Sequence, residues 1–301
     1  MRGLETLLLH CHPAEAELAL TWLPDEVDPE RARDLAELEL RGRLTGPRQP
    51  FRETIQVAYP VRPLPPSGDV VRARVVIPDP LMWTPEEPYL YSGPIEVWQA
   101  GQLVRAADVA VGLRTVALHL RKGLRVNGSV ATLPGLVARR GDEESARRWR
   151  AAGVRLLLVP VAADTLHLWP RADRLGFFVL GEIDPEDEPM MWHAAEDLGR
   201  HASCLGWVLP QALVPQPQRW HQAVSLLQAS RPGQFIGLRV AELPLGVAPG
   251  HVSFLVGDAE VLDQLPAEGL PQWPILPRGE SSWPTPEGLL RLGTIQRRLE
   301  G

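Results

Sequence analysis

The side chains best suited to acid–base work in this sequence are Glu182 and Glu280. Glu182 closes the apolar run Phe177 to Leu180 and heads an acidic stretch with Asp184, Glu186, Asp187 and Glu188. A carboxyl group at a strand end can act as acid, base or nucleophile. A run of them can also hold a cation, or simply form a solvated loop before a helix N-terminus. Glu280 follows Pro274-Ile275-Leu276-Pro277-Arg278-Gly279, where it reads as an exposed loop residue. Histidine offers less. His193 and His201 are eight residues apart on one predicted helix, which is not the i, i+4 spacing of a metal pair. His10, His12, His119 and His167 have no carboxylate or cysteine at ligand spacing, so no metal and no cofactor are expected. Cys11 and Cys204, the only cysteines, are too few and too far apart for a disulfide framework.

Most of the ten tryptophans fall inside predicted elements and belong to a core. Trp283, in Ser281-Ser282-Trp283-Pro284, sits in a loop and is the best single aromatic for stacking on a ligand or meeting a partner. Phosphate loops, dinucleotide fingerprints and Gly-x-Ser-x-Gly elbows are absent. A net charge of −6 argues against nucleic acid or an anionic membrane as partner. The opening MRGLETLLLHCH lacks the apolar region of a signal peptide. No stretch approaches the roughly 18 apolar residues of a membrane span, so a cytoplasmic protein is expected.

The elements that would position these residues change character along the chain. Short β-rich runs come first: Leu18 to Trp22, Ile55 to Tyr59, Val70 to Ile77, Ile95 to Trp98 and Val109 to Val116, a sandwich pattern. Pro29 to Arg43 reads equally as helix or as a solvated strand pair. From Arg121 onward, strands alternate with helices. The strands are Leu156–Val161, Phe177–Leu180, Leu205–Leu209, Phe235–Val240, Val252–Val256 and Trp273–Leu276. The helices begin at Asp142, Thr165, Glu188, Gln216, Ala259 and Pro286. This alternation demands parallel strands with crossover helices. The region is short for a barrel, which must have minimal loops or be incomplete.

Five ordered segments resemble glycoside hydrolase family 2, the family of β-galactosidase, β-glucuronidase and β-mannosidase. Leu81-Met82-Trp83-Thr84-Pro85-Glu86-Glu87-Pro88-Tyr89-Leu90-Tyr91 is similar to the family's "LWsPenPyLY". Val111-Gly112-Leu113-Arg114-Thr115-Val116 is similar to "vGfRtv". Leu124 to Gly128, with Leu133-Pro134-Gly135-Leu136, is similar to the Asn-Gly hairpin before the first barrel strand. Ala172 to Val179 with Glu182 is similar to "cDelGlyVidE", and Arg200 to Trp207 to "NHPSIigW". The resemblance implies an immunoglobulin-like β-sandwich over residues 1–120 and a compact (β/α)8-type TIM barrel over 121–301. The family's amino-terminal jelly-roll domain has no room before Leu81.

Members of that family are retaining enzymes, which need two carboxyl groups about 5 Å apart. The resemblance puts Gln211 at the asparagine and Ala212 at the acid/base glutamate of "WSLGNE", after the fourth strand. It puts Gly279 at the nucleophile, with Glu280 one residue late. Polar family residues after the first and second strands become Val137-Ala138 and Leu158 to Ala163, which predicts an apolar mouth. Trp207, Gln211 and Trp283 remain as ligand-binding candidates. The expectation is a family 2-like pseudoenzyme with a glycan-binding, regulatory or scaffold role and a carbohydrate or protein partner. The alternatives are an active retaining β-glycosidase using Glu182 and Glu280, and an interaction module of a larger assembly.

Overall fold

The computed structural model describes residues 4–23, 37–119, 123–229, 234–241, 252–258, 272–275 and 290–292. The chain divides into two compact units, Met1–Arg114 and Thr115–Gly301.

The first unit holds eight strands: β1 (Leu4–His12), β2 (Glu15–Trp22), β3 (Leu38–Arg48), β4 (Val57–Pro60), β5 (Arg62–Ser67), β6 (Val70–Pro78), β7 (Leu90–Gln99) and β8 (Gln102–Val111). They form two antiparallel four-stranded sheets, ordered β1-β2-β6-β5 and β4-β3-β7-β8. The period-2 alternation of a strand is clean. Ala16, Leu18, Leu20 and Trp22 of β2 and Val71, Ala73, Val75 and Ile77 of β6 are buried. They form one cluster with Leu40, Leu44, Tyr91, Ile95 and Val97 from the other sheet. Between β3 and β7 the backbones come so close that only glycine fits. A Cβ on Gly93 would lie 2.1 Å from the Arg43 carbonyl oxygen, and one on Gly42, at φ +133°, 2.2 Å from that of Pro94.

The undecided stretch Pro29 to Arg43 enters a strand at Leu38; residues 24–36 lie outside the described residues. The run Val109 to Val116 is two strand ends, not one strand: β8 stops at Val111 and β9 begins at Val116. The break lets Leu113 turn its carbonyl to the Trp83 N–H at 2.7 Å and places the Arg114 guanidinium 5.8 Å from the centre of the buried Trp83 ring. The two sandwich motifs are thus one contact. Tyr91, also buried, accepts from the Leu81 N–H at 2.9 Å and donates back to the Leu81 carbonyl at 3.4 Å.

The second unit opens with a small antiparallel sheet of β9 (Val116–His119), β10 (Gly123–Val126) and β11 (Ser129–Val130). Its hairpin turns on Asn127 and Gly128, at φ +49° and +80°, the pair of left-handed residues a two-residue hairpin requires. Asn127 also accepts from the Thr115 N–H at 2.9 Å. Then come β12 (Leu133–Val137), α1 (Glu143–Ala151), β13 (Leu156–Pro160), α2 (Leu168–Leu175), β14 (Phe178–Glu182), α3 (Glu188–Glu196), β15 (Cys204–Pro210), α4 (Pro217–Ala229), β16 (Phe235–Val240), β17 (Phe254–Asp258), β18 (Gln272–Ile275) and β19 (Leu290–Leu292).

Strands β12 to β18 are parallel neighbours in chain order. β15 is therefore the fourth parallel strand and β18 the seventh. The sheet curls, bringing β18 and β19 within 8 Å between Cα atoms. The helices start where sequence signals place them. The Asp142 carboxylate accepts from the Ser145 N–H at 2.7 Å, a bond that also holds its pKa below the usual value. Gly176 ends α2 in the left-handed conformation. One expectation fails in the region Pro286 to Leu299, read as helix. Leu290–Leu292 is a strand, antiparallel to β12, where it satisfies backbone groups that β12 would otherwise leave unpaired. Ala259 to Leu265 lies outside the described residues.

Candidate functional site

Alternation along the parallel strands separates two sets of side chains. Leu157, Val159, Val179, Trp207, Leu209, Ile236 and Leu238 join the helix residues Trp169, Leu175, Trp220 and Leu227 in one buried cluster. Their neighbours in sequence, among them Leu158, Leu180, Val208 and Val256, are buried on the sheet's other face. Glu182 continues the Phe178, Leu180 set and ends β14; Arg239 continues the Phe235, Gly237 set on β16. They meet across β15 in an ion pair, Arg239 Nη1 to Glu182 Oε1, at 2.7 Å, with the two side chains 31% and 25% exposed. Pro160 and Val208 flank Glu182 in register, so no carboxylate stands opposite it on a neighbouring strand.

Arg239 was not foreseen from sequence. Its signal is a single arginine, one residue before the end of an otherwise apolar strand run. It corrects the expectation of an apolar mouth. Leu158 and Val161 are buried as expected, but charge crosses the strand ends two strands further on.

Gln211 starts a short 3-10 turn, Gln211–Leu213, directly after β15. Its Oε1 accepts from the Ala241 N–H at 2.8 Å, which ties the end of β15 to the end of β16. Ala212 is exposed and brings a methyl group to the position. Trp207 is fully buried on the helix side. Its Nε1 donates to the Gln234 Oε1 at 2.7 Å, while Gln234 Nε2 donates to the Gly199 carbonyl at 2.8 Å. It is a core residue that offers no ring face to a ligand. Gly181 makes room for it, since a Cβ there would lie 2.5 Å from the indole. Gly181→Ala is expected to cost about 1–3 kcal/mol by overpacking, read as a lower urea midpoint with an unchanged slope. Glu280, Gly279 and Trp283 lie outside the described residues.

The acidic stretch after Glu182 is engaged in local structure. Asp184 accepts from the Glu186 N–H at 3.0 Å, Asp187 caps α3 by accepting from the Met190 N–H at 3.1 Å, and Glu186 pairs with Arg219 at 2.8 Å. His193 pairs with Asp197 at 2.9 Å and His201 with Asp173 at 2.5 Å. Among the described residues, no group of three or more His, Cys, Asp or Glu side chains is gathered to hold a metal ion. No helix among them is long and apolar enough to cross a membrane.

Asp173 and His201 also explain why two sequence segments belong together. The Asp173 carboxylate, 4% exposed, takes the His201 Nδ1 on one oxygen and the buried Ser203 N–H on the other at 2.6 Å. It thereby locks α2 to the lead-in of β15.

Residues 35–114 match the family model for glycosyl hydrolases family 2. The chain resembles that family. Among curated proteins, no sequence matches. Among solved structures, a family 2 member from Bacteroides cellulosilyticus superposes with a TM-score of 0.65 at 13% identity, covering 85% of this chain and 37% of that one. An FMN-binding beta-glucuronidase from Facaelibacterium prausnitzii L2-6 gives 0.66 at 14%, covering 85% and 42%. A Parabacteroides merdae beta-glucuronidase gives 0.64 at 14%, covering 85% and 35%. The chain thus spans about two-fifths of the length of these family 2 structures or less, and at such identities the likeness is one of fold.

Proposed function

We propose that this protein keeps the family 2 scaffold, an immunoglobulin-like sandwich with a compact eight-stranded barrel, without the family's reaction, and serves as a glycan-binding or regulatory relative. The carrying observation is the end of the fourth parallel strand. β15 runs out into Gln211 and Ala212, where the resemblance calls for the acid/base glutamate. Alanine can neither hold nor deliver a proton, and the two residues after it are Leu213 and Val214.

Glu182 supports the same reading. Its carboxylate is engaged by Arg239, and the paired guanidinium keeps further N–H donors that suit hydroxyl or carboxylate oxygens of a ligand. A carbohydrate or a protein would then be held rather than cleaved.

The test is hydrolysis of aryl β-glucosides, β-galactosides, β-mannosides and β-glucuronides. The expected rate equals that of buffer for the natural chain, and Glu182→Gln and Glu280→Gln leave it unchanged. Turnover that either substitution abolishes would establish the other reading, a retaining glycosidase with rearranged carboxylates.

A further inference from the structure

We propose that the arginines gathered between α1 and α2 form a binding site for a phosphate-type oxyanion, free or carried by a small sugar ester. Glu143, in the first turn of α1, has three guanidinium groups on one carboxylate. Arg147, one turn along α1, reaches its Oε1 at 3.2 Å. Arg174 of α2 reaches its Oε2 at 2.6 Å, and the Nε of Arg171 lies 3.5 Å from the same oxygen. Arg171 and Arg174 are three residues apart, so one face of α2 carries both. A single carboxylate cancels only one of these three charges.

The surplus grows in the loop before α1. Arg139 and Arg140 are exposed and make no hydrogen bond or ion pair among the described residues. The neighbouring carboxylates are already engaged. Asp142 caps α1, and Glu144 pairs with Arg148 at 3.6 Å. Six arginines therefore stand with three carboxylates, in a chain whose net charge is −6. A local surplus of one sign draws in a counter-ion, and repulsion among the arginines falls when it binds.

The framework is fixed before any ligand arrives. Gly141 packs on the Trp149 indole, where a Cβ would lie 2.4 Å from the ring. Its carbonyl accepts from Arg171 Nη1 and lies 3.1 Å from His167 Nε2. These contacts tie the loop after β12 to α2 and hold the half-buried Arg171 in place. Arg147 and Arg174 each use one nitrogen, Nη2, on Glu143, and a guanidinium has five N–H donors. The remaining donors suit phosphate oxygens, which the planar fork grips two at a time. A dianion also matches the surplus better than a carboxylate, which brings one charge as Glu143 already does. Glu143 is then an internal competitor for the same donors, so removing it and removing an arginine act in opposite directions.

The experiment is calorimetric titration of the full chain at low salt with sodium phosphate and, separately, with glucose 6-phosphate, glucose being the neutral control. Arg147→Ala and Arg174→Ala are each expected to weaken binding about 10-fold. Arg174→Lys, which keeps the charge without the fork, loses less. Glu143→Gln tightens binding about 5-fold, and about 0.5 M NaCl abolishes it. The Arg147 and Arg174 side chains are 59% and 52% exposed, so their alanine variants keep the natural chain's melting temperature without phosphate, and only the natural chain's rises with it. Tighter binding of glucose 6-phosphate assigns the site to an ester, and equal or weaker binding assigns it to the free ion. Unchanged affinity in the Arg147→Ala/Arg174→Ala double variant, weaker binding in Glu143→Gln, or no binding up to about 10 mM of either phosphate compound overturns the proposal.

Discussion

Asp173→Ala is expected to destabilise the protein by about 3 kcal/mol, among the larger effects a single side chain can have here. The carboxylate sits in the middle of α2 at 4% exposure and does two jobs. One oxygen takes the Ser203 backbone N–H at 2.6 Å, and Ser203 is itself fully buried. Truncation leaves that donor without an acceptor, away from water, which alone costs about 1–3 kcal/mol. The other oxygen meets His201 Nδ1 at 2.5 Å; its loss adds the energy of a charge-assisted bond and frees the turn before β15. Asp173→Asn keeps a carbonyl oxygen for Ser203 and is expected to lose about half as much. Urea denaturation reads the difference. Amide exchange at Ser203 should accelerate in the alanine variant more than at distant strands. An alanine variant within about 0.5 kcal/mol of the natural chain would show that the pair is not what fixes α2 to β15.

The same pair shows what was legible in the sequence. The segments Ala172 to Val179 and Arg200 to Trp207 stand out as strings, but their meaning is a hydrogen bond between residues 28 apart. Parallel strands were legible because both faces of the sheet are covered, so Leu156–Pro160 and Cys204–Pro210 read as continuous apolar runs. The Asn127-Gly128 hairpin was legible because its backbone demands those residues. β1 and β5 were not. β1 is an edge strand whose exposed Leu7 and Leu9 blur the alternation, and β5 carries three prolines in six residues. The end of the chain misled for a different reason. Leu290–Leu292 is too short to show a period, and its strand identity comes from β12, far away in sequence. At the site, the missing Ala212 carboxylate could be read from one position. Arg239 reaching Glu182 could not, since it depends on strand neighbours that no local spacing encodes.

Raising the pH from 9 to 12 is expected to remove about 2–3 kcal/mol from the stability of the first unit, a large fraction of the roughly 5–15 kcal/mol that an ordinary domain has. Burial pushes the Tyr91 hydroxyl up from 10.0 to about 12, offset in part by its bond to Leu81, and burial pushes the Cys11 thiol up from 9.0 to about 11. Tyr59, edge-on to Tyr91 at 5.9 Å, is raised as well, by burial first and by Asp79 second. Each is an acid whose charged form the fold disfavours. Below their ordinary values both states are neutral and the stability is intact. Above them the unfolded chain ionises first, so Cys11 loses its share between pH 9 and 11 and Tyr91 between 10 and 12. Two units apiece would correspond to about 2.7 kcal/mol each at full value, and solvent screening of these half-shielded groups cuts that to about half. The window is clean, because the chain has only three tyrosines and two cysteines. Melting temperature against pH should fall steeply across it. Tyr91→Phe lowers the neutral-pH value by the lost Leu81 bonds, about 1–2 kcal/mol, yet flattens the upper half of the fall. Cys11→Ala flattens the lower half. Curves that keep the natural slope in both variants would place the alkaline sensitivity elsewhere and deny these two groups the burial that raises them.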